Sequence, residues 1–84
     1  MEVSRYASHW DIQLPLGSPD GPYEVRLTTV QGEQIFAARG DATITEGITL
    51  LRVEVRLSSA SPGLYVLQLR KPTFAWSSYP IVVH

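Results

Sequence analysis

The sequence predicts an all-β fold, an immunoglobulin-like or fibronectin-III-like antiparallel β-sandwich of about seven strands. Apolar and polar residues alternate with a period of two along most of the chain, which is typical of strands with one buried face. Turn residues recur about every eight to twelve positions, and no stretch has the apolar spacing of a helix. A small barrel is the competing architecture. We expect one domain over 1–84, with 1–7 as a loose N-terminal segment.

The first half of the chain predicts four strands. Trp10, Ile12, Leu14 and Leu16 alternate with polar residues until the turn cluster GSPDGP begins. A second alternating run follows, and the turn at Gln31-Gly32 makes a hairpin with the strand after it. The predicted strands are 9–16, 23–30, 35–38 and a weaker one at 42–45.

The second half predicts three more strands, over 49–57, 65–70 and 79–84. The strand at 49–57 follows a turn at Glu46-Gly47, and its outward charges alternate in sign. Pro80 has no N–H to donate to a neighbouring strand, so the last strand belongs on an edge or at a bulge. Pro15 makes the first strand the other expected edge.

The stretch SASPGLY predicts a structural role for Pro62, Gly63 and Tyr65. A Pro-Gly pair just before an inward tyrosine at the start of a late strand is typical of a tyrosine corner, in which the phenol hydroxyl bonds upstream backbone. The alternative is a plain core aromatic whose hydroxyl reaches water.

The order YEVRL, GEQIF, GITLLRVEVRLSSASPGLYVLQL and YPIVV resembles the C-terminal β-sandwich domain of bacterial, chiefly acidobacterial, zinc-finger anti-sigma-like membrane proteins. The resemblance covers roughly residues 10 to 83. The family usually reads Leu-Pro-Pro-Gly-x-Tyr here, whereas Ala60, Ser61 and Pro62 precede Gly63 in this chain, so the leucine is missing. The Pro-Gly-x-Tyr pattern and the terminal aliphatic strand are also similar to C-terminal sorting domains of exported bacterial proteins. These resemblances imply a bacterial periplasmic or extracytoplasmic module, with no catalytic residue and with the zinc-binding segment outside this chain.

Charge and composition argue against several function classes. The net charge is −1, and the seven basic residues are scattered, whereas nucleic-acid binding requires a basic stripe. No apolar run approaches the roughly 20 residues that span a bilayer, so we expect no membrane contact by this domain. Cysteine is absent, which excludes disulfides and thiolate chemistry.

No constellation of catalytic or metal-binding residues is apparent, so we expect no enzyme activity, no metal and no cofactor. His9 and His84 lie near opposite ends of the chain, without further ligands at metal spacing. The carboxylates fall on turns or outward faces, and no serine has a nucleophile-elbow context. Arg39-Gly40-Asp41 spells the integrin-recognition motif, but Gly40 between two strands is equally explained by a turn or bulge.

Three aromatic residues, Phe74, Trp76 and Tyr79, are the candidate binding residues. They crowd the segment KPTFAWSSYP at one predicted end of the sandwich, where they would make a platform for a sugar ring or an apolar partner. The alternative is that Trp76 and Tyr79 fold back over a small core. The sequence therefore predicts a non-catalytic structural or protein-interaction module, with a carbohydrate-binding module as the alternative and self-association through edge strands as a third possibility.

Overall fold

A computed structural model describes residues 2–72 and 74–84, and these residues form seven strands and no helix. The all-β prediction is therefore confirmed, and no helix of the described residues could cross a membrane. The strands are β1 (Glu2–Val3), β2 (His9–Gln13), β3 (Gly21–Thr29), β4 (Gln34–Thr45), β5 (Ile48–Glu54), β6 (Gly63–Arg70) and β7 (Ser77–Val83).

All seven strands belong to one sheet, with the order β1-β7-β6-β3-β4-β5-β2. Every neighbouring pair is antiparallel except β1 and β7, which are parallel. The sheet is therefore mixed, and the prediction of purely antiparallel pairing is wrong for this pair. Inward side chains from β2 at one end and from β7 near the other belong to the same buried cluster. A flat sheet could not bring them together, and the sheet is therefore curled into a half-barrel.

The core follows the period of two that the sequence shows. Alternate residues of β3, β5 and β6 are buried and face the inside of the curl. Trp10 of β2 meets Phe36 of β4 edge to face, with 6.0 Å between ring centroids, although β5 separates these strands in the sheet. The largest fully buried side chains are Val25, Leu27, Leu51, Val53, Leu57, Leu67, Ile81 and Val83.

The long strand β4 is where the sheet turns. Its first part pairs with β3 and its last part pairs with β5, and only Asp41 and Ala42 pair on both sides. The sequence predicted two strands here, 35–38 and 42–45, joined at Gly40, and this prediction is wrong. Gly40 instead lies inside one continuous strand.

Close approach of two strands explains this glycine. A Cβ at Gly40 would lie well inside van der Waals contact with the Arg52 carbonyl oxygen, and 3.0 Å from Val53 Cγ2. Gly40 has no positive φ, so its role is to leave room for the backbone of β5. By contrast, the turn predicted at Glu46-Gly47 is present, with φ of 52° and 79°, as a two-residue hairpin turn requires.

The N-terminal segment is paired to the C-terminal strand. Glu2 and Val3 align with Val82 and Val83, His84 N donates to Val3 O at 2.9 Å, and Arg5 N donates to His84 O at 3.0 Å. No strand is predicted in 1–7, because two paired residues are too few to show alternation. Met1 lies outside the described residues.

We expect Gly40→Ala to destabilise the domain by about 3 kcal/mol, because the added methyl group forces β4 and β5 apart. Ala37→Ser, at an exposed position of the same strand, is the matched control and should change stability by no more than about 0.5 kcal/mol. Urea unfolding of the two variants measures both effects. A Gly40→Ala protein as stable as the control would contradict the proposed close approach.

Candidate functional site: a groove between the sheet edges

The half-barrel leaves two strand edges without a neighbour. β2 ends the sheet order and pairs only with β5. At the other end, within the described residues, β1 covers β7 only at Val82 and Val83, so no described strand pairs with the outer edge of β7 over 77–81. Curling of the sheet brings these two edges to the sides of one groove, because residues from both line it.

Each open edge carries a proline where an N–H would point outward. Leu14 N donates to Thr49 O and Val55 N donates to Ser8 O, so the even-numbered residues of β2 bond β5. The odd positions face the open edge, and Pro15 follows the end of β2 at the start of a turn in which Ser18 N donates to Pro15 O. His84 bonds β1 through both its N–H and its carbonyl, which gives Pro80 the same outward orientation on β7. Proline cannot donate, so each edge lacks one of the donors that an added strand would use.

The groove itself is apolar and has a volume of about 550 Å³. Buried Leu14, Leu67 and Leu69 contribute to its floor. Leu16, which is 84% exposed, and Tyr79, which is 37% exposed, stand at its rim. We call this depression, together with its extension described next, the seam groove. Leu16 in particular is an aliphatic side chain that the fold leaves in water.

The seam groove extends toward the segment that follows β6. A second depression shares Leu14, Pro15, Leu69 and Tyr79 with the first, and it is lined further along by residues of the loops before β3 and after β6. Phe74 borders this extension and is 68% exposed. The additional lining residues are Ser18, Pro19, Tyr23, Arg70, Lys71, Phe74, Ala75 and Ser77.

The structure brings together two of the three predicted aromatic residues. Phe74 and Tyr79 both line the seam groove, whereas Trp76 borders a separate depression beside Arg26 and Arg39. The Arg26 guanidinium lies 4.1 Å from the centroid of the Trp76 ring, and the Arg70 guanidinium lies 4.3 Å from it. These two arginines occupy ring surface that a sugar would need.

The two arginines are themselves fixed by polar partners on the convex face of the sheet. Arg26 donates to the side-chain oxygen of Gln68, and Arg70 Nη2 lies 3.3 Å from Glu24 Oε2. Because β3 and β6 are paired there, their outward side chains form the surface that Trp76 contacts. Sequence spacing alone could not separate Trp76 from Phe74 and Tyr79, since the three stand within six positions of one another.

The predicted structural residues lie at the start of β6. The Tyr65 hydroxyl donates to Ser61 O at 2.6 Å, which is the hydrogen bond that a tyrosine corner requires. Gly63 has a φ of 149°, a conformation that L side chains rarely adopt, and Pro62 precedes it at an exposed position. This corner holds the chain as it enters the central part of the sheet.

A second corner, which sequence reasoning missed, stands at the start of β3. The Tyr23 hydroxyl donates to Pro19 O at 2.8 Å, again four residues upstream. The shared signal is a positive-φ glycine two residues before the tyrosine, Gly21 here and Gly63 there. Both stretches also contain Ser-Pro, as SPDGPY at the start of β3 and SPGLY at the start of β6. The likeness of the two stretches could therefore have identified the first one as a tyrosine corner. Since β3 and β6 are antiparallel neighbours, the corners fix the two opposite ends of that pair.

The surroundings of Tyr23 clearly change the pKa of its phenol. Burial raises the pKa of Tyr23 because it penalises the phenolate, and the nearby Asp20 charge raises this pKa further. The Lys71 ammonium lies 4.9 Å from the centroid of the same ring. Tyr23 is therefore held as a neutral hydrogen-bond donor.

The remaining candidate residues lie apart from the seam groove. Arg39 and Asp41 belong to β4 and line a crease of about 800 Å³ with Arg52 and Glu54, so this tripeptide is part of a strand and not of a protruding loop. His9 contacts Arg52, and His84 Nε2 lies 2.6 Å from Glu2 Oε1. Within 2–72 and 74–84, no group of three metal-ligating side chains is assembled.

Comparison with known proteins gives no relative for this chain. No protein-family model matches it, and neither a curated protein nor a solved structure gives a significant match.

We expect Tyr23→Phe and Tyr65→Phe each to cost about 1 kcal/mol of stability, because each removes one partly buried hydrogen bond. The corners are about 20 Å apart along β3, from six residues at roughly 3.3 Å each, so the double variant should lose the sum of the two. Urea unfolding of the four proteins measures this. A double variant no weaker than either single one would contradict two independent corners.

The raised pKa of Tyr23 makes stability depend on pH in the alkaline range. Above about pH 10 the unfolded chain loses the Tyr23 proton while the folded protein still holds it. The unfolding free energy should therefore fall as the pH rises from about 10 toward the folded pKa. Tyr23→Phe should reduce this fall, while Tyr6→Phe, at a 71% exposed tyrosine, should not. Unfolding curves at about pH 9 and about pH 11 test it, and equal slopes in both variants would refute it.

Proposed function

We propose that this chain is a non-catalytic protein-interaction module that binds its partner through the seam groove. The observation that carries the proposal is the apolar depression between the β2 and β7 edges, bordered by the exposed side chains of Leu16 and Phe74. Exposed large apolar side chains beside a concave apolar surface are a feature of binding sites. Side chains of the partner would displace water from the exposed apolar surfaces of Leu16, Phe74 and Tyr79, above the buried floor of the groove.

The edge geometry favours a different protein as partner over self-association through edge strands. An added strand would meet donorless positions at Pro15 and Pro80. Antiparallel pairing of two β2 edges centred on Asp11 would also place two carboxylates opposite each other, which is unfavourable. Docking of side chains into the seam groove avoids both costs.

We further propose that the curled sheet is a variant of the immunoglobulin-like sandwich, and that the chain works as an extracytoplasmic module of a bacterial exported or membrane-anchored protein. The division of the sheet at β4 supports the first part, because the strands on the two sides of β4 bury their side chains in one shared core. The resemblance of SPGLY and the final strand to the bacterial C-terminal domains described above supports the second part.

The carbohydrate-binding alternative depends on fewer residues than the sequence indicated. Phe74 and Tyr79 border one groove, which would let a sugar ring stack there. Trp76 contributes nothing to that surface, because it borders another depression and contacts Arg26 and Arg70. Two side chains at the rim of an apolar groove fit an apolar protein segment better than a polysaccharide.

Panning a displayed library of random dodecapeptides on the folded protein tests the proposal. We expect enriched peptides to bind the parent and to bind Leu16→Asp at least about tenfold more weakly, because a carboxylate at the rim must lose its water when an apolar segment docks. Leu64→Asp is the matched control, since Leu64 is 55% exposed on the convex face, and it should bind like the parent.

Enriched peptides that bind Leu16→Asp as tightly as the parent would contradict the groove as the binding site. We call a peptide groove-dependent if it binds Leu16→Asp more weakly than the parent. If no such peptide is found, but a polysaccharide binds the parent and not Phe74→Ala, the carbohydrate-binding alternative is favoured.

A further inference from the structure

The charged residues that line the seam groove are both basic, while the Asp20 charge lies near enough to raise the pKa of Tyr23 but does not line the groove. Among the residues that line it, the charged ones are Arg70 and Lys71, and none is acidic. Arg70 is already engaged with Glu24 and with the Trp76 ring. Lys71 is therefore the cation that remains for a ligand at this end of the groove.

The Lys71 ammonium is held in place by a hydrogen bond and a ring contact, and not by an ion pair. Its Nζ donates to the Asp20 carbonyl oxygen at 2.7 Å and lies over the Tyr23 ring. A Cβ at Gly21 would come 3.2 Å from this Nζ, so the ammonium rests against a glycine that leaves it room. Among the described residues, no carboxylate makes an ion pair with Lys71. An ammonium group has three donors, and the Asp20 carbonyl takes one.

The strand edges restrict how a partner is recognised. Because Pro15 and Pro80 remove outward donors on both sides of the groove, main-chain pairing is interrupted there. These two gaps favour a ligand that gains affinity from side chains entering the groove and orientation from a polar group at one end. Lys71 stands at the end that Phe74 borders, away from Ile12 and Leu67.

On the basis of the proposed function, we infer that the seam groove binds a protein segment that carries apolar side chains followed by a carboxylate. The apolar side chains lie on the Leu14, Leu67 and Leu69 floor, and the carboxylate accepts hydrogen bonds from Lys71. Charge complementarity selects this partner over a basic or uncharged apolar segment. The same ion pair sets the direction in which the segment lies in the groove.

The test uses a peptide from the library that binds in a groove-dependent way. We expect the enriched sequences to combine apolar residues with Asp or Glu at one end. Replacing that acid by its amide should weaken binding to the parent by about twofold to fivefold, as for a partly exposed ion pair. Lys71→Gln should bind both peptides equally, and Lys71→Arg should restore the preference for the acid.

The control for folding is the unfolding free energy of each Lys71 variant, measured beside binding. Groove-dependent peptides without an acid, or an equal acid-to-amide preference in the parent and Lys71→Gln, would overturn this inference and leave the proposed function standing. Absence of any groove-dependent peptide would overturn both. If dodecanoate binds the parent but not Lys71→Gln, and no groove-dependent peptide is found, the ligand is a lipid anion. That result would also overturn the inference of a protein segment.

Discussion

The close passage of β5 beside Gly40 is the constraint on which the shape of this domain depends. β4 changes its partner from β3 to β5 around Asp41 and Ala42, and the sheet can turn there because no side chain stands between the two backbones. The turn brings β2 across the core from β7, where one cluster of apolar side chains serves both limbs. The groove, its two edges and the contact between Trp10 and Phe36 all follow from this turn.

A half-barrel of 84 residues has to protect the edges that it does not close. Here the protection is chemical: proline at Pro15 and Pro80 removes donors, Asp11 adds a charge to the β2 edge, and β1 covers the end of β7. Each device opposes an added strand but leaves the apolar side chains at the rim of the groove exposed. The same arrangement that keeps the edges from pairing therefore shapes a surface suited to side-chain recognition.

The candidate site was only partly predictable from the sequence. The aromatic segment after β6 indicated the correct end of the fold, and Phe74 and Tyr79 do border a groove there. Leu16 was placed on the apolar face of the first strand, but it lies beyond the end of β2 and is exposed. Lys71 was not singled out, because a lone lysine carries no signal until a groove is seen beside it. Trp76 was grouped with the other aromatics, and only the pairing of β3 with β6 shows which arginines it contacts.

The sequence by itself determined the all-β class, the inward face of most strands, and the turns at Gln31-Gly32 and Glu46-Gly47, since period-two alternation and turn chemistry are local properties. The tertiary structure decided the strand order, the continuity of β4 through Gly40, and the parallel pairing of β1 with β7. These features depend on contacts between residues distant in the chain, such as Gly40 with Arg52 and Val3 with His84. A local pattern records which face of a strand is buried, but it does not record which strand lies beside it.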